Sequence, residues 1–301
     1  MKTLFRIIIA ILIALNCFIL LFLYPVSTNT QESVSCPVCR NAPVTNIKLE
    51  LNSPELGRDG WQTERLAVLI PYRDRFRELV EIVPYLSDFL TLQKIPFSIW
   101  ILNQVDNHRF NRGLLLNLGF ILTSNSNEYI CLHDVDLLPL NHNISYRFPL
   151  SGPSHLTSPD LHPQYHYDKF FGGILLLTNE HFRLVNGFSN IFWGWGREDD
   201  EFQLRVRKAG LQISKPEGIT TGYDTFYHNH LVDRKRDKDL YFNQKMLSFR
   251  RDHITGLETA LSSIDNYSLH EVNIDGYPCK LVNVKLDCDY DFTPFCDTPL
   301  D

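Results

Sequence analysis

Between residues 65 and 139, short unbroken apolar runs alternate with segments whose apolar residues recur at helical spacing, and this alternation limits the possible folds more than any other feature. Leu66-Ala-Val-Leu-Ile70 is apolar on both faces and ends at Pro71, as expected of a parallel strand buried on two sides. Phe76, Leu79, Ile82, Val83 and Leu86 then follow the helical period. Residues 97–102 read as a second strand, 112–122 as a helix, and 129–132 as a third strand that stops at His133. Strands alternating with helices imply βαβ units, so the predicted class is α/β with a mostly parallel central sheet in one large domain over residues 63–301. The 44% of hydrophobic residues is enough to fill such a core. A formal charge of −6 with no long basic run sets nucleic acid aside as a partner.

The N-terminus carries a different signal. After Lys2 and Arg6, residues 7–24 are apolar except for Asn16, long enough as a helix for roughly 27 Å of hydrocarbon. A cleaved signal peptide has a shorter apolar core and a small-residue cleavage site, and neither is present. The positive-inside rule then predicts a type II arrangement: a cytoplasmic tail at 1–6, a transmembrane signal-anchor at 7–24, a Ser/Thr/Asn/Pro-rich stem at 25–62 and a lumenal catalytic domain at 63–301. Lumenal placement suits the N-glycosylation acceptors Asn143-Ile-Ser145 and Asn266-Tyr-Ser268. It also favours disulfides over zinc for the six cysteines outside the apolar run. Cys288 and Cys296 are near enough in sequence for a local bridge, and Cys36-Pro-Val-Cys39 offers another.

The third strand leads into His133-Asp-Val-Asp-Leu-Leu-Pro139. In an open α/β sheet ligands bind beyond the carboxyl ends of the strands, and two carboxylates one residue apart there can hold a hard divalent cation or a ribose. Such a cation neutralises the diphosphate of a nucleotide-sugar as its bond to the sugar breaks. Tyr227-His-Asn-His230 places two imidazoles on one side of an extended segment. Asp136, His228 and His230 make a three-ligand set that suits manganese or another first-row divalent metal and leaves positions open for phosphate.

The least ordinary stretch is Phe192-Trp-Gly-Trp-Gly-Arg-Glu-Asp-Asp-Glu201. Large aromatic faces on a freely bending backbone stack on sugar rings, and neighbouring carboxylates bond the hydroxyls. Phe202, Val206 and Ala209 share a helical face after it, with Gly210 as the stop, so Glu198, Asp199 and Asp200 fall at a helix N-terminus. Simple acidic capping accounts for one of these acids but not for three beside Trp193 and Trp195. Inverting sugar transfer needs a carboxylate to take the proton of the attacking hydroxyl, and Asp199 is assigned that role, with a modest pKa set by the helix terminus.

These residues give the chain the look of a β-1,4-galactosyltransferase, and within that family it resembles the xylosylprotein branch. The resemblance spans roughly residues 65–297 and rests on Ile70-Pro-Tyr-Arg-Asp-Arg75, Phe110-Asn-Arg112, the His133–Pro139 segment, Tyr165-His-Tyr167, Phe171-Gly-Gly-Ile174, the Phe192–Glu201 segment and His228-x-His230. Members directed to GlcNAc typically carry glycine in place of Arg197 and a methionine in place of one ligand histidine, which favours the xylose-directed branch. The resemblance implies a GT-A-type, Rossmann-like glycosyltransferase fold in the Golgi lumen, UDP-galactose as donor and Mn2+ as cofactor. It implies a nucleotide site formed by Pro71, Tyr72, Arg73, Asp74, Arg75, Phe110, Asn111, Arg112, Val135 and Asp136, with Arg236 approaching the diphosphate. Tyr165 and Trp195 would flank the sugars. The implied acceptor, xylose on serine of a proteoglycan core protein, would be held by Trp195, Glu198, Asp199 and Asp200. The loop around Trp195 and the segment carrying His230 are expected to close after donor binding, with Gly194 and Gly196 as hinges.

Three rivals have distinct signatures. A GlcNAc-directed transferase keeps the chemistry and changes the acceptor. A non-catalytic lumenal carbohydrate-binding protein would lack the base or a ligand, and this chain has Asp199, Asp136, His228 and His230. A metal-dependent phosphohydrolase would not need the tryptophan-glycine loop.

Overall fold

The structure is a computed structural model and describes residues 61–229 and 255–297. The expected membrane span at 7–24, almost all of the stem, Cys36, Cys39, His230 and Arg236 lie outside the described residues. Among the described residues no helix is long and apolar enough to cross a membrane.

In chain order the elements are β1 (Leu66–Tyr72), α1 (Phe76–Leu92), β2 (Phe97–Gln104), α2 (Arg112–Thr123), β3 (Tyr129–His133), β4 (Leu137–Pro139), β5 (Ser154–His155), β6 (Ile174–Thr178), α3 (Asn179–Leu184), α4 (Glu198–Lys208), β7 (Phe226–His228), β8 (Ile264–Ile274) and β9 (Tyr277–Leu286). Seven strands form one sheet in the order β5-β6-β3-β1-β2-β9-β8, and β4 pairs with β7 in a separate two-stranded sheet.

β1 is fully buried, and its side chains divide between the two faces of the sheet. Leu66, Val68 and Ile70 join one core with Leu79, Ile82, Val83 and Leu86 of α1. Ala67 and Leu69 join the other with the leucines of α2 and with Phe202 and Val206 of α4. This is the physical reason that the first strand reads as a continuous apolar run: it has no solvent face. Each such side chain taken from water contributes about 1.5–3 kcal/mol. Helix α2 packs so closely that a Cβ on Gly119 would lie 2.7 Å from Leu102 Cδ1.

The first two strand–helix units match expectation, and the sheet as a whole does not. β1 runs parallel to β2 and β3, and β2 parallel to β9, but β3–β6, β5–β6 and β8–β9 are antiparallel. The expected mostly parallel sheet is therefore a mixed one. The cause at one edge is local. Asp275 and Gly276 both adopt left-handed backbone, φ 51° and 91°, which makes the two-residue turn of a tight hairpin. Such a turn returns β9 directly alongside β8.

Candidate active site

β3 ends at His133, and the next three residues turn sharply, with Leu137 N–H donating to the Asp134 carbonyl at 3.4 Å. β4 then pairs with β7 so that Leu137 lies opposite His228. Asn229 N–H donates to the Asp136 carbonyl at 2.8 Å, which extends that pairing past the strand. The outcome is that His228 Nε2 lies 3.5 Å from Asp136 Oδ2. Two ligand atoms each about 2.1 Å from one ion are about 3–4 Å apart, so this pair fits a shared divalent cation. Arg75 stands 3.6 Å from the same Asp136 oxygen and 3.1 Å from buried Glu78, so one guanidinium serves both carboxylates. The third expected ligand, His230, lies outside the described residues. Another group of possible ligands, His108 with Cys288 and Cys296, offers no thiolates, because the two sulfurs are joined in a disulfide.

Across from this pair α4 begins. Its N-cap residue Arg197 sits in left-handed backbone at φ 77°, costly for a side chain larger than glycine, and gives no side-chain cap. The four acids of the first turn then take separate directions. Glu201 turns away from the cleft to Arg205, 2.7 Å away, whose guanidinium also donates to backbone carbonyls at Asn186, Gly187 and Thr255. Asp200 accepts from Arg197 at 3.0 Å through one oxygen, and its other oxygen is buried without a partner among the described residues. Asp199 Oδ1 accepts from Arg112 Nη1 at 2.8 Å, and the same guanidinium reaches Asp134 Oδ1 at 2.8 and 2.9 Å. Arg112 thus ties the Asp134–Asp136 turn to the acidic helix start.

Asp199 Oδ2 lies over Gly172, where a Cβ would meet it at 2.5 Å; only a residue without a side chain leaves that oxygen its place. Burial pushes the Asp199 carboxyl up to about 6, against the pull of Arg112 and with help from Asp134 and Asp200. The modest pKa expected from the helix terminus is not what the site produces, because loss of water outweighs the dipole. Glu198 is pushed up to about 8, first by burial and then by Asp199.

These groups share one cleft of about 560 Å³. Of the expected site residues, Pro71, Arg73, Arg75, Phe110, Arg112, Val135, Asp136, Tyr165, Trp195, Glu198, Asp199, Asp200 and His228 line it. Tyr72, Asp74 and Asn111 do not. Tyr72 is buried in the core under α1, Asp74 is exposed in left-handed backbone, and Asn111 is the N-cap of α2, accepting from Leu114 N–H and donating to the Asn190 carbonyl. The two tryptophans also separate: Trp193 is 2% exposed and packs in the core, while Trp195 is 40% exposed at the cleft. Gly194 N–H donates to the Phe110 carbonyl at 2.9 Å, so the loop is tied at its start and presents Trp195 outward.

Sequence reasoning read Asp134 only as one of the paired acids and Tyr167 only as part of a motif, and gave no role to His162 or Phe170; all four line the cleft. Asp134 was legible as the first acid of the Asp-Val-Asp turn. His162 and Phe170 flank the Tyr165-His-Tyr167 motif but carry no spacing signal of their own. His162 is buried and its pKa pushed down to about 3, mainly by burial and then by His228.

Family models agree with the geometry. Residues 38–149 match the N-terminal region of glycosyl transferase group 7, and residues 152–229 match a model described as the N-terminal domain of galactosyltransferase. The chain is 52% identical over 239 residues to mouse beta-1,4-galactosyltransferase 7, covering 79% of this chain and 72% of that protein. It is 43% identical to the xylosylprotein 4-beta-galactosyltransferase of Caenorhabditis elegans, covering 77% of this chain and 82% of that one. A solved structure of a mutant Drosophila β-1,4-galactosyltransferase 7 in complex with manganese, UDP-Gal and xylobiose superposes with a TM-score of 0.73 at 49% identity, over 78% of this chain and 99% of that one. A GT-A-like glycosyltransferase fold with a mixed sheet, a carboxylate–imidazole pair spaced for a divalent cation beside an acidic helix start, and relatives this similar place the chain in the β-1,4-galactosyltransferase family.

Proposed function

We propose that this protein transfers galactose from UDP-galactose to xylose linked to serine of a proteoglycan core protein, forming a β-1,4 bond with inversion. The observation that carries the reading is the single guanidinium of Arg112 holding Asp134 and Asp199 at 2.8 Å each, since it sets the base beside the metal turn. Relatives named for xylosylprotein galactosyl transfer, and a relative that binds manganese, UDP-Gal and xylobiose, support the choice of donor, metal and acceptor.

Asp136 and His228 fit manganese as a mixed carboxylate–imidazole pair, and His230 would complete the set. When bound there, the ion supplies positive charge to the diphosphate of the donor. The chain's own groups do the rest. Trp195 offers an apolar face for a sugar ring, and the unpartnered oxygen of Asp200 accepts an acceptor hydroxyl. Arg112 holds Asp199 by Oδ1, leaving Oδ2 to take the proton of the xylose 4-hydroxyl. The freed oxygen attacks C1 of galactose as the C1–O bond to UDP breaks, and UDP departs with the bonding electrons. Attack from the face opposite UDP turns the α-linkage of the donor into a β-linkage.

The N-terminal pattern supports a single-pass type II membrane protein with residues 63–301 lumenal, and the family resemblance supports the Golgi as its compartment. The activity is tested by offering the purified protein UDP-galactose and manganese with a xyloside and a GlcNAc glycoside in parallel. Transfer to the xyloside alone supports the reading; comparable transfer to the GlcNAc glycoside defeats the acceptor assignment.

A further inference from the structure

His162 lies outside the sequence motifs, yet its ring touches both the Tyr165–Phe170 segment and His228. Its Nδ1 accepts the backbone N–H groups of Gln164 and Tyr165, both at 2.9 Å. This is the geometry an Asn or Asp side chain makes in an Asx-turn, where the acceptor binds amides two and three residues on. With Nδ1 used as an acceptor, the ring proton of the neutral imidazole is on Nε2. The ring is wedged between Tyr165, with centroids 4.8 Å apart, and Phe170, 4.7 Å away and edge-on. Its remaining side meets the ring of His228, 5.6 Å away. Asparagine would make the turn equally well, so the turn alone does not explain an aromatic ring at a position 2% exposed in the cleft wall.

We propose that His162 is a positioning residue for the acceptor: its ring, braced by Phe170 and His228, fixes where Tyr165 stands against the sugar. This role rests on the proposed sugar-transfer function, and it takes Tyr165, expected to flank the sugars, as standing on the acceptor side of the cleft. Tyr165 is half-buried; His162 gives it both a backbone hydrogen bond and one of its ring contacts, the other being Phe170 at 5.3 Å, so deleting the imidazole removes one of the two aromatic walls that set the tilt of the tyrosine.

The informative variant is His162→Asn, which keeps the turn acceptor through Oδ1 and deletes the ring. Kinetics with a xyloside and with UDP-galactose, the equilibrium affinity for UDP with manganese, and the melting temperature are measured for His162→Asn, Tyr165→Ala and the double variant. The expected result is a roughly tenfold rise in xyloside KM for His162→Asn, with UDP affinity within about twofold and the melting temperature nearly unchanged. The double variant is expected to match Tyr165→Ala alone, because the two residues act as one unit. An unchanged xyloside KM in His162→Asn, equal weakening of xyloside and UDP, or additive effects in the double variant would each overturn the inference. If Tyr165→Ala itself leaves the xyloside KM unchanged, the assignment of Tyr165 to the acceptor falls as well, which separates the two failures.

Discussion

Asp199 is held by Arg112 at 2.8 Å and still has its pKa pushed up to about 6, so burial, helped by Asp134 and Asp200, outweighs the guanidinium. Ionised, it accepts a proton; protonated, it does not. The rate with xyloside is therefore expected to rise with pH through an apparent pKa near 6 on kcat/KM. Arg112→Gln removes the group that lowers this pKa and should shift the rising limb to higher pH; a limb that stays in place would show that another group sets it. Asp199→Asn should cut kcat about 10²–10⁴-fold with the KM for UDP-galactose little altered, as measured by initial rates. Gly172→Ala should lower kcat in the same assay, because its Cβ would fall 2.5 Å from Asp199 Oδ2. Glu198 affects stability instead. Its folded pKa of about 8 exceeds its ordinary 4.5, so between those values the native state holds more protons than the unfolded one. Stability through this group is then greatest below about pH 4.5 and is lost as pH rises toward 8. Urea denaturation of Glu198→Gln across that range should show a flatter profile than the parent protein. At this scale the acids were legible because they adjoin Trp195 at a helix start. Arg112 joining Asp199 to Asp134 was not, since Arg112 and Asp199 are far apart in sequence and meet only through packing.

The elements decide which side chains meet. The β4–β7 pairing sets His228 beside Asp136, and α2 delivers Arg112 from its first residue. His228→Ala leaves the strand pairing intact, since only backbone groups make it, and removes one proposed ligand. Manganese required for half-maximal activity should rise about tenfold or more, on the scale of ligand-sphere changes generally. An unchanged requirement would place the ion elsewhere. The disulfide Cys288–Cys296, eight residues apart, closes the C-terminal segment where Arg109 N–H donates to the Cys296 carbonyl at 2.6 Å. A double Cys→Ser variant is expected to lose about 2.5 kcal/mol by the loop-entropy estimate, read from chemical denaturation. The first strands and helices were readable from apolar periodicity because they are buried on regular faces. The antiparallel edges were not, since β8 is half-exposed with no clean apolar pattern, and the Asp275-Gly276 turn that reverses the chain is only two residues long.

For the whole molecule, a mixed seven-stranded sheet covered by α1 on one face and α2 and α4 on the other carries the cleft at the ends of its central strands. The proposed type II anchor is a separate matter of the first 24 residues. Carbonate extraction and protease protection of the full chain in microsomes should show it membrane-embedded with the large domain shielded. Accessibility of that domain to protease would contradict the lumenal assignment. The most direct measurement of the central claim is time-resolved proton NMR of the purified protein with UDP-galactose, manganese and a xyloside. The account predicts a new β-anomeric galactose signal linked to O4 of xylose, appearing in step with UDP and abolished by Asp199→Asn. An α-anomeric product, or release of free galactose with no transfer, would contradict it.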